Sequence, residues 1–313
     1  MNKKGAAKVP FLFAFDFELS RGFFIEEPFG SDDVLFSLRG KGNKPKEAPF
    51  NGKAELIAFP LGYEEYLEKF QVVQKGLMRG DSFLVNLTVK TPIETNLSLY
   101  DIFIKSDSLF QLYVPGLFVC FSPEIFVSIE NGEIKTYPMK GTIPADIPNA
   151  QERILKDPKE TAEHATIVDL LRNDLSINAD EVKVRRYRYI DKLKTSKMEI
   201  LQVSSEIVGK LPLGWEGRIG DIIYRMLPAG SCSGAPKEST LRIIRESEGQ
   251  SRGFYTGIFG LFDGVNMDSA VLIRFIEEDG GQKYFRSGGG ITAQSLATDE
   301  YQEAIDKIYL PFV

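Results

Sequence analysis

The sequence predicts an α+β fold in which two large, mainly antiparallel sheets stack in an α/β/β/α sandwich with helices outside. Blocks of consecutive strands joined by tight turns alternate along the chain with groups of helices, and this order favours sheet packed on sheet. The composition, with 43% apolar and 26% charged residues, is typical of a soluble globular chain. A length of 313 residues allows one large domain or two small ones.

The N-terminal section is predicted to be short and rich in strands. Its apolar run ends at Asp16, and because no cleavage signal follows, we expect a first strand rather than a signal peptide. A loop is predicted at 40–53, where Gly, Pro and Lys cluster between apolar runs.

Spacing and turns define the remaining elements. Apolar residues recur at helical spacing from Tyr63 to Arg79, and Ser82 to Val89 alternates as a strand. Strand blocks are predicted at 110–137, with a hairpin turn at Asn131-Gly132, and at 254–286. Helices are predicted at about 158–176, 218–227 and 235–247, and a last helix follows Thr298 as its N-cap.

The net charge and the counts of cysteine and histidine limit which partners, locations and metal sites the sequence predicts. The 38 Lys and Arg residues against 44 Asp and Glu residues give a net charge of −6, so nucleic acid and membrane surfaces are not expected partners. Cys120 and Cys232 are the only cysteines, which fits a reducing, cytoplasmic location. The single histidine, His164, excludes a multi-histidine metal site.

The predicted helix at 158–176 carries two carboxylates and the only imidazole on one side. Spacings of three and four residues place Glu160, Glu163 and His164 on a common face. A hard divalent ion such as Mg²⁺ prefers a few carboxylates together with water and substrate oxygens.

The last helix repeats this acidic pattern with Glu300, Glu303 and Lys307. The two helices could jointly hold Mg²⁺. For either helix taken alone, a solvated face with intrahelical ion pairs is the favoured interpretation.

Two glycine-rich segments offer backbone N–H groups to an anion. Residues 228–237 (PAGSCSGAPK) precede a predicted helix, and 287–291 (SGGGI) form the second segment. Taken singly, each is better interpreted as a plain turn. Neither has P-loop or dinucleotide-binding spacing, which disfavours a nucleotide site.

Glu124 and Lys140 lie in two short motifs on either side of the predicted hairpin. On adjacent strands, both can face one cavity, as a proton donor and an amine nucleophile. The alternative is a cross-strand salt bridge.

Taken together and in this order, the motifs resemble the chorismate-binding enzymes. This family includes anthranilate synthase, aminodeoxychorismate synthase, isochorismate synthase and salicylate synthase. The resemblance runs from about residue 60 to the C-terminus, and chance agreement of all the motifs in order is negligible. The motifs are GDSFLVNLT (80–88), SPEIFV (122–127), PMKGTIP (138–144), KETAEHATIVDLLRNDL (159–175), PAGSCSGAPK (228–237), RGFYTGIFG (252–260), AVLIRF (270–275), SGGGITAQS (287–295) and EYQEAIDK (300–307).

The resemblance implies that the chain binds chorismate with Mg²⁺. It assigns Glu163 and Glu303 as the glutamates that hold the metal against the ring carboxylate, with Glu160 and Glu300 as outer or water-mediated partners. It places His164 beside the ring. The implied substrate-binding residues are Arg274, Lys307, Gly230, Ser231, Gly289, Gly290 and Thr142.

Within the family, Lys140 decides the expected reaction. Aminodeoxychorismate synthases with covalent catalysis carry a lysine before Gly-Thr, where anthranilate and isochorismate synthases usually have a small residue. Leu84 stands where isochorismate and salicylate synthases have a water-activating lysine. The resemblance therefore implies ammonia as the incoming nucleophile, supplied by a glutamine amidotransferase subunit.

The implied mechanism uses three catalytic residues, Lys140, Glu124 and His164. Neutral Lys140 attacks C2 of chorismate while protonated Glu124 donates to the departing C4 hydroxyl. Ammonia then adds at C4 and expels the lysine, which gives 4-amino-4-deoxychorismate for folate synthesis.

Two alternatives stay open: an anthranilate-forming enzyme, marked by pyruvate release, and a relative that binds chorismate without turnover. Longer family members carry an N-terminal extension. We therefore expect a single catalytic domain over 1–313 with a shortened N-terminal strand section of about 1–60.

Overall fold

The computed structural model describes residues 1–46, 52–194 and 199–312. Part of the predicted loop at 40–53 therefore lies outside the described residues. In the described ranges the chain forms two large antiparallel sheets together with helices, and this confirms the predicted α+β class. None of the described helices is both long enough and apolar enough to cross a bilayer.

The strands are given in chain order. They are β1 (Phe11–Phe15), β2 (Gly22–Glu26), β3 (Leu35–Leu38), β4 (Lys41–Gly42), β5 (Leu56–Ala58), β6 (Leu84–Thr95), β7 (Phe110–Val114), β8 (Phe118–Ser122), β9 (Ile125–Glu130), β10 (Glu133–Thr136), β11 (Met139–Pro144), β12 (Asp180–Lys194), β13 (Glu199–Lys210), β14 (Gly234–Ala235), β15 (Ile258–Phe262), β16 (Met267–Val271), β17 (Phe275–Asp279) and β18 (Gln282–Ile291).

One sheet has the order β11-β13-β10-β9-β16-β15-β1-β2, and β12 pairs with β13. The other has the order β14-β6-β18-β17-β8-β7-β3-β4, and β5 pairs with β6. The helices are α1 (Asn2–Ala6), α2 (Tyr63–Met78), α3 (Leu99–Lys105), α4 (Ala150–Lys156), α5 (Pro158–Ser176), α6 (Ile219–Arg225), α7 (Gly230–Ser233), α8 (Lys237–Glu248) and α9 (Ala297–Asp306).

The predicted first strand forms at β1 and is preceded by the short helix α1. One predicted helix boundary is wrong. The last helix begins at Ala297 with Leu296 at the N-cap, so the prediction that Thr298 is the cap is wrong. The Thr298 hydroxyl instead donates to Asp299 Oδ1 at 3.2 Å, within the first turn.

The described residues divide into two compact units, each assembled from separate stretches of chain. The first unit contains residues 1–10, 125–231 and 262–269, and the second contains 11–124, 232–261 and the chain from Ala270 onwards. The expected single domain stays a prediction.

In the second unit, α2 and α8 pack closely above β6. Phe70 and Val73 of α2 bury their side chains in one apolar cluster with Leu87 of β6 and Ile243 of α8. Gly76 allows this approach, because a Cβ there would lie 2.5 Å from Ile243 Cδ1. The amphipathic spacing of α2 thus buries one helix face against the sheet.

A fully buried ion pair joins the last residue of α8 to Arg252 in the same unit. The Arg252 Nε and Nη2 atoms donate to the two carboxylate oxygens of Glu248 at 2.9 and 2.6 Å, and both side chains are at most 2% exposed. Arg252 also donates to the carbonyls of Cys232 at 2.8 Å and Asn86 at 2.6 Å. Glu248 Oε1 accepts the Thr88 N–H at 2.8 Å. The pair therefore ties β6, α8 and the segment around Cys232 together.

His164 is a second example of a buried ionisable group, and it lies in the first unit. Its side chain is 0% exposed, and Nε2 lies 2.7 Å from Ser205 Oγ in β13. Burial, reinforced by the nearby charge of Arg188, lowers the pKa of His164 to about 4. The imidazole is therefore neutral in the folded protein at physiological pH.

Breaking the buried ion pair should strongly destabilise the protein. The Glu248→Gln variant leaves the Arg252 charge buried without its counter-ion, so the free energy of unfolding should fall by about 3–5 kcal/mol. Urea denaturation measures this. The matched control is Glu152→Gln, because Glu152 forms an i,i+4 pair with Lys156 in which the two side chains are 60% and 75% exposed. That variant should lose less than about 0.5 kcal/mol. Equal effects in the two variants would contradict the assignment.

Acid should destabilise the fold through His164. The unfolded histidine binds a proton below about pH 6.5, whereas the folded one resists protonation until about pH 4. Stability is therefore lost as pH falls through this window. The difference in unfolding free energy between wild type and His164→Gln should shrink by about 2–3 kcal/mol from pH 7.5 to 4.5. A difference that stays constant over this range would refute the lowered pKa.

Candidate active site

In the first unit, the predicted nucleophile contacts a predicted metal ligand. Lys140 of β11 places Nζ 2.9 Å from Glu163 Oε2 of α5, with the two side chains 30% and 10% exposed. The pairing of β11 with β13 shifts register between Met139 and Thr142. Such an irregularity changes the direction in which nearby side chains point. Lys140 lies within this irregular stretch.

Glu160, one turn before Glu163, packs on the same irregular stretch of β11. A Cβ at Gly141 would lie 2.7 Å from Glu160 Oε2, and Gly141 has a φ of +83°. The left-handed backbone favours glycine there, and its missing side chain leaves the Glu160 carboxylate in place. Asp157 fixes the start of α5, because its Oδ1 accepts the Glu160 N–H at 2.9 Å. Thr142 is exposed.

His164 follows Glu163 but turns towards β13. Its ring contacts Ser205 and lies edge-on to Tyr187, with ring centroids 5.9 Å apart. The Arg188 N–H donates to the same Ser205 hydroxyl at 2.9 Å. In this state the imidazole holds α5 against the sheet and is closed to solvent.

Gly230 and Ser231 lie in the short helix α7 rather than in an open loop. A Cβ on Gly230 would lie 2.7 Å from Asp174 Oδ2 and 3.2 Å from Leu170. The absence of a side chain at Gly230 therefore allows close packing on α5.

In the second unit, two predicted metal ligands converge over a glycine. Glu300 and Glu303 of α9 reach Gly289 of β18, where a Cβ would lie 3.3 Å from Glu300 Oε2 and 3.2 Å from Glu303 Oε1. Burial first, and then these two carboxylates, raise the pKa of Tyr66. Lys307 Nζ donates to Glu303 Oε1 at 2.6 Å and to the Gly288 carbonyl at 2.7 Å, so its charge offsets their repulsion.

Glu300 and Glu303 above Gly289 form what we call the acidic cradle. Its donor chemistry fits Mg²⁺. Two hard oxygen donors above a position without a side chain leave room for an ion that keeps water and substrate oxygens as its other ligands. Across residues 1–46, 52–194 and 199–312, no group of three or more His, Cys, Asp and Glu side chains could hold a metal on its own. An ion held by Glu300 and Glu303 would therefore need water or substrate oxygens to complete its shell.

The glycine run that was predicted to bind an anion in a loop is part of a strand. Gly288 and Gly289 of β18 pair with Thr88 and Leu87 of β6. A Cβ on Gly288 would lie 2.3 Å from the Leu87 carbonyl oxygen, so this glycine serves close strand approach.

Glu124 and Arg274 also lie in the second unit. The Glu124 N–H donates to Ser122 Oγ at 3.1 Å, and its carbonyl accepts the Val271 N–H at 3.1 Å. Arg274 is half-buried, has a φ of +52° and donates from Nε to Tyr309 Oη at 3.0 Å.

Sequence reasoning missed the groups that support these side chains. Ser205 carries no motif signal, and Tyr309 follows the last motif. The Glu248 and Arg252 pair had a usable signal, because their spacing of four is that of a helical ion pair. The arginine, however, follows the end of α8.

Comparison with known proteins places this geometry in a family. The profile of the family described as chorismate binding enzyme matches residues 31–311. The chain is 48% identical over 314 residues to a Haemophilus influenzae protein named "Uncharacterized PabA-like protein", covering 99% of this chain and 94% of that one.

Two further relatives have named activities. The Escherichia coli aminodeoxychorismate synthase component 1 is 32% identical over 261 residues, which cover 78% of this chain and 56% of that protein. The crystal structure of anthranilate synthase component I from Streptococcus pneumoniae superposes with a TM-score of 0.69 at 28% identity, over 83% of this chain and 60% of that one. The chain thus spans little more than half the length of these two proteins.

The profile match covers most of the chain, and the carboxylates, Lys140 and the glycine strand all lie within it. This chain belongs to the chorismate binding enzyme family.

Proposed function

We propose that this chain is an aminodeoxychorismate synthase component I, which converts chorismate and ammonia to 4-amino-4-deoxychorismate. The observation that carries the proposal is the partly buried lysine at the irregular stretch of β11, held 2.9 Å from Glu163. The likeness to the Escherichia coli aminodeoxychorismate synthase component 1 supports it. Anthranilate synthases usually have a small residue at this position.

Lys140 acts as the nucleophile in this proposal. The ion pair with Glu163 holds Nζ in place, and only the neutral amine can act as a nucleophile. The neutral amine then forms a bond to C2 of chorismate and gives up its extra proton, the two conjugated ring double bonds each shift by one position towards C4, and the C4–O bond breaks. Glu124 donates the proton that lets this hydroxyl leave as water. Ammonia adds at C4 and loses a proton, both double bonds shift back, and the C2–N bond breaks so that the lysine amine leaves.

The remaining predicted residues bind and orient chorismate. Arg274 is proposed to bind a substrate carboxylate, and Lys307 neutralises the acidic cradle while offering a second cation. Gly289 and Gly290 bring the backbone of β18 close to the ligand, while Gly230, Ser231 and Thr142 are assigned by the resemblance. His164 is proposed to act near the ring by fixing α5, which carries Glu160 and Glu163.

Mg²⁺ is the proposed cofactor. Glu300 and Glu303 would hold it in the second unit, and Glu160 and Glu163 are the other predicted ligands. When bound, the ion offsets the charge of the substrate carboxylate and of the glutamates.

Ammonia is proposed to come from a glutamine amidotransferase subunit. The name component 1 of the Escherichia coli relative fits a two-subunit enzyme. The only histidine in the sequence is buried against Ser205, which leaves no histidine for a glutaminase triad in this chain. We propose the cytoplasm as its location.

Replacing Lys140 should abolish product formation. With chorismate, Mg²⁺ and an ammonium salt, wild type should form 4-amino-4-deoxychorismate, and Lys140→Ala should lose at least about 100-fold in kcat. Mass spectrometry of the products measures this. Without ammonium, the intact mass of wild type should also rise by chorismate minus one water.

The matched control is Lys135→Ala, because Lys135 is another strand lysine paired to glutamate, with Glu130 Oε2 at 3.1 Å. It should keep wild-type turnover and show the covalent adduct. Turnover that is unchanged in Lys140→Ala would defeat the proposal. So would an anthranilate product accompanied by pyruvate from wild type.

Removing one cradle carboxylate should weaken metal binding. In calorimetric titrations with chorismate present, Glu303→Gln should bind Mg²⁺ roughly tenfold or more weakly, because a hard cation loses a charged oxygen ligand. Asp306→Asn on the same helix is the control, since Asp306 Oδ1 accepts a bond from Gln302 at the surface. If both variants bind Mg²⁺ like wild type, the ligand assignment is wrong.

A further inference from the structure

Arg274 carries a charge that its protein surroundings do not balance. It is half-buried, and within the described part of the chain its guanidinium makes no ion pair with Asp or Glu. Its contacts there are with Tyr309, through the hydrogen bond from Nε and a distance of 5.6 Å from Cζ to the ring centroid. A half-buried cation without a carboxylate partner is suited to an anionic ligand.

The backbone of Arg274 is fixed in a strained conformation. Its φ of +52° is uncommon for a residue with a side chain. Its carbonyl accepts the Phe121 N–H at 3.0 Å, and Phe275 next to it begins β17. Strain of this kind persists only where the surrounding structure holds it. The sheet therefore fixes the position of the Arg274 backbone, from which the side chain extends.

Tyr309 fixes the other end of the side chain. Its hydroxyl lies 3.0 Å from Arg274 Nε, and its ring packs edge-on to Phe121 with centroids 6.5 Å apart. Phe121 thus contacts both residues, one through its backbone and the other through its ring. Tyr309 lies shortly after α9, the helix that carries Glu300 and Glu303.

Because Tyr309 accepts its hydrogen bond from Nε, it limits which nitrogens of the Arg274 guanidinium can bind a ligand. A carboxylate can take two parallel hydrogen bonds from the Nη1 and Nη2 end of the planar fork or from its Nε side. Tyr309 occupies the Nε side. The terminal pair of nitrogens is left as the bidentate face.

We propose that Tyr309 is a positioning residue that holds Arg274 so that its terminal nitrogens bind a carboxylate of the substrate. This inference rests on the proposed function, in which Arg274 binds chorismate. Tyr309 acts through Arg274 and does not touch the reacting atoms.

The test is Tyr309→Phe, which removes the hydroxyl and keeps the ring against Phe121. Calorimetry should show chorismate bound roughly tenfold more weakly, because a hydrogen bond to a charged group is lost. In steady-state assays KM should rise by the same factor while kcat changes by less than about twofold, as expected for binding shared by ground and transition states. In an Arg274→Lys background, which lacks Nε, the same change should add much less.

The matched control is Tyr301→Phe. Tyr301 lies on α9 in the same unit, and its hydroxyl donates to the Leu61 carbonyl at 2.8 Å, so this variant also loses one tyrosine hydrogen bond. It should leave chorismate affinity unchanged. Thermal melting of both variants verifies that they are folded.

Three results would overturn the inference: unchanged affinity in Tyr309→Phe, an equal loss in Tyr301→Phe, or a fall in kcat at constant KM. Direct titration separates this inference from the proposed function. If wild type binds chorismate but forms another product, the proposed function fails while the effect of Tyr309 on affinity still stands. If wild type does not bind chorismate, both fail.

Discussion

The buried ion pair between Arg252 and Glu248 is the constraint on which the acidic cradle of the second unit depends. A charge pair at most 2% exposed is tolerated only when nearly every donor and acceptor is satisfied. Here the partners are the backbone of β6 at Asn86 and Thr88, and the carbonyl of Cys232. Because β6 pairs with β18 along the glycine run, fixing β6 also fixes the strand on which Glu300 and Glu303 converge.

The two units use the same device to place carboxylates against a sheet. In each, a glutamate of a helix lies above a strand glycine, Glu160 over Gly141 and Glu303 over Gly289. A side chain on the strand would occupy the space that the carboxylate needs. A nearby lysine pairs with a glutamate of the same helix, Lys140 with Glu163 and Lys307 with Glu303. Acidic groups are thereby concentrated without being left unbalanced.

Sequence patterns predicted the periodic features within one helix or strand. They missed the contacts that a helix or strand makes with its neighbours in the fold. The periodicity of α5 correctly predicted a helix over Pro158–Ser176. It could not show that His164 turns inward to Ser205 while Glu163 meets Lys140. Helical spacing shows which residues share a face of the helix. Which strand that face packs against is decided by tertiary packing. The glycines of β18 looked like a loop because composition does not distinguish a flexible turn from a strand pressed against its neighbour. Tyr309 lay outside every motif and gave no signal.

The N-terminal ten residues belong to the first unit, and their partners come very late in the chain. The Gly220 N–H donates to Asn2 Oδ1 at 2.7 Å, and a Cβ on Gly264 would lie 2.8 Å from the Lys8 carbonyl oxygen. Contacts so distant in sequence form slowly, because the loop between them must close first. During synthesis on a ribosome, residues 1–10 must wait for the chain around residues 220 and 264 before they can dock. The first unit therefore completes its fold only after most of the second has been made.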